Sequence, residues 1–349
     1  MFEYIKLQNF RNYISEIFEF KKGINLIIGP NGSGKTNLLE SIYTIANLKS
    51  FRTKLQNLIN YESDKFIIST EHNNQQRTFI FNKELKQKQY YINQHKVSLN
   101  KQNLIPIVLF EPNFFNLNLI SNEQKRNFID NLITQINPSY TKTLNQYKKT
   151  LVQRNKLLKT PVKNTELFPW NIKISQLAQE IINNRTNTIK DINKLLSKKY
   201  TIFSKNLDKI TLRYNSPIDL NNYSLNLLEK FEINIHKEKT IGYTLFGPHK
   251  DDIDFLFNNQ ITKNFLSQGE NRSIVLSLKL VEKDIIEDKT NKLPIFLFDD
   301  VFSELDGNRR STILKQINSN QTFITTTEVD LVVNNLNNEF NIIPLNKNL

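Results

Sequence analysis

Gly29-Pro30-Asn31-Gly32-Ser33-Gly34-Lys35-Thr36 is the stretch that decides the fold. The apolar run Ile24–Ile28 leads into it, and Asn37 continues it into NLLESIYTIA, which has helical periodicity. A strand, a glycine-rich loop and a helix in that order make a phosphate cradle, because the loop N–H groups and the positive end of the helix dipole converge on an anion. In such a cradle Lys35 reaches the terminal phosphates and the Thr36 hydroxyl binds Mg²⁺. The chain has only 8 glycines, where average usage gives roughly 24. Three of them stand in this loop, where close backbone approach is needed.

Working outward, Tyr4–Leu7 and Ile17–Phe20 read as strands before the loop. From about residue 66 to 110 the pieces KFIIST, RTFIF, YYINQ and IPIVLF suggest an antiparallel sheet beside the nucleotide fold. Residues 121–158 and 170 to about 207 read as two long helices, joined by TPVKNTELFP, whose two prolines mark a turn. The pair is expected to form an antiparallel hairpin; a helix of ~36 residues spans roughly 54 Å, an arm and not a long coiled coil. Strand signals return at FGPHKDDIDFLF, PIFLFDD and QTFITTT. The expected division is an ATPase head over residues 1–115, a helical arm over 116–240 and the return of the head over 241–349.

Pro294-Ile-Phe-Leu-Phe-Asp299-Asp300 has the form of a buried parallel strand that delivers acids at its C-terminal edge. Beside a phosphate loop, Asp299 is the candidate Mg²⁺ acid, and Asp300 is either general base or water-positioner. Leu266-Ser267-Gln268-Gly269-Glu270-Asn271-Arg272 opens the helix SIVLSLKLVEKDIIED. Its Ser267 and Gly269 can offer a hydroxyl and a bare backbone to a phosphate.

These motifs, together with LQNFRNY (Leu7 to Tyr13), FGPHKDD (Phe246 to Asp252), FLFDDVFSELD (Phe296 to Asp306) and FITTT (Phe323 to Thr327), occur in one order from residue 7 to 327. In that order they resemble the DNA replication and repair branch of the SMC/Rad50-like ABC ATPases. The resemblance implies an α/β fold: an ABC-type P-loop head with mixed sheets plus an inserted antiparallel helical arm. It makes Ser267, Gln268, Gly269 and Arg272 a signature motif covering ATP on the other subunit of a homodimer, Ser303 to Asp306 a D-loop, and Gln321 to Thr327 the switch strand. Arg11 and Asn12 are placed near adenine or phosphates. Lys35, Asp299 and Asp300 become the catalytic set, with ATP and Mg²⁺ as cofactors and DNA as partner. It further implies recruitment of RecR, with RecO, at gapped DNA so that RecA can load.

This sequence also departs from the pattern. Lys250 follows GPH where Arg is usual, which loses any bidentate contact. Glu111-Pro112-Asn113-Phe114 leaves the coupling residue unidentified, Thr325 to Thr327 stand where a switch histidine is usual, and Asp300 stands where Glu is common. Slow hydrolysis is the expectation. His249 is either a turn histidine or a nucleotide or DNA contact. Trp170 reads as a packing residue rather than a base-stacking platform.

Charge bears on the partner. The net charge is +13, and residues 121–210 hold 17 Lys/Arg against 6 Asp/Glu, an excess of +11. A polyanion tracked by Lys148, Lys149, Arg154, Lys156 and Lys159 is one reading; a solvated face inflated by AT-rich coding drift is the other. The absence of cysteine excludes disulfides, iron–sulfur clusters, thiolate zinc sites and cysteine nucleophiles. Glu3 and Lys6 interrupt any leader-like run and no apolar run is long enough to span a bilayer, so a soluble, cytoplasmic protein is expected. Competing readings are the nucleotide-binding subunit of a transporter, disfavoured by SQGEN and the basic arm, and a structural DNA tether, disfavoured by the arm's length.

Overall fold

The computed structural model describes residues 1–98, 104–115, 117, 119–161, 163–204, 207–262, 266–327 and 340–345. The chain forms two compact units: Met1–Asn116 with Ile202–Ser204 and Gln268–Leu349, and Leu117–Thr201 with Lys205–Ser267. In the amino-terminal part of the first unit come β1 (Phe2–Phe10), β2 (Tyr13–Glu19), β3 (Ile24–Ile28), α1 (Lys35–Asn47), β4 (Lys65–His72), β5 (Gln75–Asn82), β6 (Gln87–Ile92), β7 (His95–Val97) and β8 (Ile107–Phe110). The second unit holds α2 (Asn122–Ile136), α3 (Tyr140–Leu158), α4 (Asn164–Tyr200), β9 (Ile210–Asn215), α5 (Tyr223–Ile233), α6 (Ile235–Ile241), β10 (Asp252–Phe257) and β11 (Gln260–Ile261). The chain then returns with α7 (Gln268–Thr290), β12 (Ile295–Asp299), α8 (Gly307–Gln316), β13 (Thr322–Thr326) and β14 (Phe340–Pro344).

Two sheets build the first unit. One is antiparallel, in the order β2-β1-β4-β5-β6-β7, and the other is parallel, in the order β14-β3-β13-β12-β8. The antiparallel strands alternate: Phe66, Ile68 and Thr70 of β4 and Arg77, Phe79 and Phe81 of β5 are buried while their neighbours are not. β12 and β13 are instead apolar or uncharged along nearly their whole length and buried on both faces, as parallel strands between layers must be. From Leu38 onward every residue of α1 is buried. A helix buried all round lies between two surfaces, and α1 shares one hydrophobic cluster with Ile5, Phe66 and Phe79 of one sheet and Ile27, Leu297 and Phe323 of the other. IPIVLF differs from its expected place: β8 joins the parallel sheet beside β12, because its residues are apolar on both faces and not alternating.

In the second unit the first long helix is broken. α2 starts at a capping box in which Ser121 and Gln124 exchange backbone and side-chain hydrogen bonds, and it ends before Asn137-Pro138, where proline cannot continue the hydrogen-bond ladder. α3 and α4 are antiparallel, since Thr143 bonds Glu180 while Arg154, further along, bonds Asn171. The turn between them spans residues 159–163. Of the two prolines only Pro161 lies in it; Pro169 sits inside α4 as its sixth residue, where it lacks the N–H that would donate four residues back. β9, β10 and β11 form a small antiparallel sheet. FGPHKDDIDFLF therefore belongs with the helical unit and not with the returning head: β10 pairs with β9 along Asp252 to Phe257.

Candidate functional site

The phosphate-type loop runs from the end of β3 into α1, as its spacing requires. Gly34 caps α1 at φ +100 and Gly32 sits at φ +83, conformations that a side chain resists. A Cβ on Gly34 would come 2.6 Å from the Tyr13 hydroxyl and 2.9 Å from the Asn12 amide. Lys35 donates to the carbonyl oxygens of Gly29 (2.7 Å) and Pro30 (2.9 Å), which holds its ammonium over the loop. Burial lowers the Lys35 pKa, and Asp300 and Asp299 oppose that shift. Ser33 Oγ is buried with no hydrogen-bond partner among the described residues, so the loop retains an unsatisfied polar atom of the kind a phosphate oxygen satisfies.

The acids arrive on β12, as its apolar run predicts. Thr36 Oγ1 donates to Asp299 Oδ1 at 2.8 Å, bringing together two hard oxygens separated by 263 residues. That pair suits a magnesium ion that keeps several of its waters. Asp300 is exposed and left-handed, at φ +53. For a residue with a Cβ this costs about 1–2 kcal/mol, and the structure compensates: the Asp300 N–H donates to Thr325 Oγ1 at 2.8 Å, and the same hydroxyl lies 3.2 Å from Asp299 Oδ1. Thr325, which stands where a switch histidine is usual, therefore holds both acids.

Three further contributors were not legible as such in the sequence. Glu111 follows β8, whose Phe110 pairs with Phe298, so it flanks Asp299 on the side away from Thr325. Burial raises its pKa to about 7, against the pull of Lys279. Glu40 is fully buried on α1 and receives the Arg11 guanidinium at 2.9–3.0 Å, while Asn37 donates to Asn12 at 2.7 Å. Arg11 and Asn12 thus anchor the first turns of α1 to the β1–β2 turn. Arg309 donates to the Gly269 carbonyl and the Ser273 hydroxyl at 2.9 Å, and Arg272 pairs with Glu304 at 2.7 Å. These bonds fix the start of α7 to Glu304 and to the first turn of α8, which Asp306 caps by accepting from the Arg309 N–H. Gln268 is the first residue of α7, and Ser267 precedes it at the boundary between the two units.

Residues 1–348 match the family model of the RecF/RecN/SMC N-terminal domain. The DNA replication and repair protein RecF of Streptococcus suis is 36% identical over 342 residues, covering 94% of this chain and 93% of its own length. The chain belongs to the RecF family. Solved RecF structures agree with that placement. A recombination mediator protein RecF–ATPrS of the RecFOR pathway superposes at TM-score 0.89 with 28% identity, covering 100% of this chain and 98% of its own. A RecF–ATP structure of that pathway superposes at 0.84 with 29% identity, covering 94% and 92%. The mixed α/β head expected from the motifs is the RecF and SMC head fold.

Other residues of the RecF-family motifs lie in the second unit. His249 is partly buried, with Nδ1 2.7 Å from the Tyr147 hydroxyl and Nε2 3.3 Å from the Thr244 carbonyl. Asp251 accepts from Tyr214, Tyr223 and Ser216, and Lys125 pairs with Asp252 at 3.2 Å. Lys250 stays exposed, its ammonium 5.4 Å from the Tyr243 ring. Of the five basic candidates on α3 and at its end, Lys148, Lys149, Lys156 and Lys159 are exposed. Arg154 is not a surface cation. It is 0% exposed, paired with Glu238 at 2.6 Å, bonded to Asn171 and Thr244 and stacked on Phe231 at 4.1 Å. Its place on the stripe Tyr147, Thr150, Arg154, Leu158 was the available signal, since all four are buried. Trp170 is partly buried in the second turn of α4. Among the described residues no helix is long and apolar enough to cross a membrane.

Proposed function

We propose that this chain is an ATP-dependent DNA-binding protein of recombinational gap repair and replication-fork maintenance. Two copies close on ATP, hold gapped or junction DNA, and release it on slow, DNA-stimulated hydrolysis. The observation that carries this reading is the Thr36–Asp299 pair at the mouth of the glycine loop, with Lys35 and Asp300 beside it. ATP with Mg²⁺ supplies the cleavable phosphoanhydride and the adhesive charge between the two heads. Lys35, now resting on loop carbonyls, turns its ammonium to the terminal phosphates. Thr36 and Asp299 present their oxygens to the metal. Asp300, exposed and aimed by a strained backbone, takes the proton of the attacking water; being one methylene shorter than Glu, it reaches that water less well, which fits a timer rather than a motor. Gln268, Gly269 and Arg272, with Ser267 ahead of them, form the edge offered to the other subunit's nucleotide. The exposed lysines of α3 supply the sequence-independent attraction to DNA.

Family membership supports the partners RecR and RecO and the loading of RecA at gaps. It weighs against the transporter and tether readings. The test is steady-state ATP hydrolysis with and without duplex DNA, paired with retention of that DNA. A slow basal rate that rises on DNA, with retention only in ATP, is expected. No stimulation together with no retention would overturn the reading.

A further inference from the structure

A cavity of about 530 Å³ opens at the other end of the parallel sheet, at the starts of the strands whose far ends carry Asp299 and Thr325. Ile295, which begins β12, and Gln321, which precedes β13, both line it. Its volume falls in the range of small-molecule sites, roughly 300–1,000 Å³. The lining is chemically one-sided. The side chains of Lys22, Arg77 and Lys292 contribute three cations beside the Met1 amino group, and no carboxylate side chain is present among the described lining residues. Arg77 is more than nine-tenths buried and is steered by donation to the Tyr90 hydroxyl (2.9 Å) and Gln75 Oε1 (3.0 Å). His72 lines the same wall, and its Nδ1 is buried with no hydrogen-bond partner among the described residues. Burial first, and then the positive charge of the amino terminus, Arg77 and Lys292, push its pKa down to about 3, so the imidazole is neutral and can donate or accept a hydrogen bond. Ile105, Pro106, Leu293 and Pro294 add apolar lining to the same cavity.

We infer that this cavity is a second ligand site, for a nucleotide-sized organic phosphate: the phosphate on Lys22, Arg77 and Lys292, the uncharged body against Ile105, Pro106 and Leu293. A guanidinium fixed in place beside two lysines concentrates positive charge where phosphate oxygens can accept charge-assisted hydrogen bonds. The site is distinct from the glycine loop, which lies at the opposite ends of β12 and β13, and the inference stands apart from the ATP reading.

The test uses the full chain carrying Lys35→Met, to silence the glycine loop, titrated calorimetrically with AMP and with inorganic pyrophosphate. Both are expected to bind, AMP more tightly because its nucleoside adds the apolar contact. Adding Lys22→Glu and Lys292→Glu, both at exposed positions, is expected to weaken both by at least about tenfold. The same two substitutions in a chain with intact Lys35 should leave ATP affinity at the glycine loop unchanged, which shows the fold is intact. Failure of both probes to bind, equal binding before and after charge reversal, or binding of a glutamate-rich peptide in preference to either phosphate would overturn the inference.

Discussion

Asp300 and Thr325 concentrate the chemistry into a single hydroxyl. Thr325 Oγ1 accepts the N–H of a left-handed aspartate and touches the acid beside it, so the geometry of both carboxylates depends on it. Thr325→Val removes the acceptor while keeping the shape. The expected outcome is a loss of about 1–2 kcal/mol in chemical unfolding, with hydrolysis slowed while ATP still binds. Asp300→Gly should do the opposite to stability. Glycine adopts the left-handed conformation without strain, so the melting curve moves up, corresponding to about 1 kcal/mol, while hydrolysis is lost. An Asp300→Gly protein that is less stable than the parent, or that hydrolyses ATP normally, would contradict the strain argument in the first case and the assignment of the base in the second. The sequence displays the two acids as the end of an apolar strand. It does not display the hydroxyl that aims them, because Thr325 is one of three consecutive threonines and only the register of β13 against β12 selects it.

At the scale of elements the helical hairpin divides its basic residues between core and surface. Arg154 completes a fully buried pair with Glu238, and removing one partner strands the other charge. Arg154→Met is expected to cost about 3–5 kcal/mol, with most of it recovered when Glu238→Leu is added, as measured by denaturant unfolding. Lys148, Lys149, Lys156 and Lys159 behave differently. Changing them together to Gln should leave unfolding nearly unaltered and reduce the salt dependence of DNA binding by about one unit of slope for each phosphate that is no longer neutralised. An unchanged slope would assign the basic excess of residues 121–210 to coding drift. Composition alone cannot make this division. Both kinds of residue read as positive charge, and the difference lies in helical phase, where Arg154 shares a face with Tyr147 and Leu158 and the four lysines do not.

Across the whole molecule, the fold was legible wherever a motif fixes its own backbone. The glycine loop forces β3 and α1, and the apolar run before Asp299 forces a central parallel strand. Legibility failed where a strand's partner decides its place. FGPHKDDIDFLF is a plain strand by composition, yet it joins the small sheet of the helical unit through a pairing with β9 that its own pattern does not specify; IPIVLF carries in its non-alternating apolar run the mark of the parallel sheet it joins. The helical unit also carries a pH dependence. Burial lowers the His249 pKa from 6.5 to about 4, so folded His249 stays neutral where the unfolded chain takes up a proton. The contribution of His249 to stability is therefore complete above 6.5 and is lost as pH drops towards 4, by up to about 3 kcal/mol. His249→Gln should flatten that part of the profile. An equally steep fall in the variant would place the titration elsewhere.

In the proposed dimer two heads share each ATP. Lys35 and Ser267 stand 232 residues apart, and in the proposed dimer they meet across subunits. Lys35→Met leaves the α7 edge intact, and Ser267→Arg leaves the glycine loop intact while placing bulk where the other subunit's terminal phosphate must sit. The most direct measurement is sedimentation of each variant alone and of an equal mixture, with and without ATP. Neither variant is predicted to dimerise alone, and the mixture is predicted to recover part of the ATP-dependent dimer, because one of its two sites is built from two sound halves. If Ser267→Arg dimerises on ATP like the parent, or if mixing restores nothing while both variants remain folded, the shared site is contradicted.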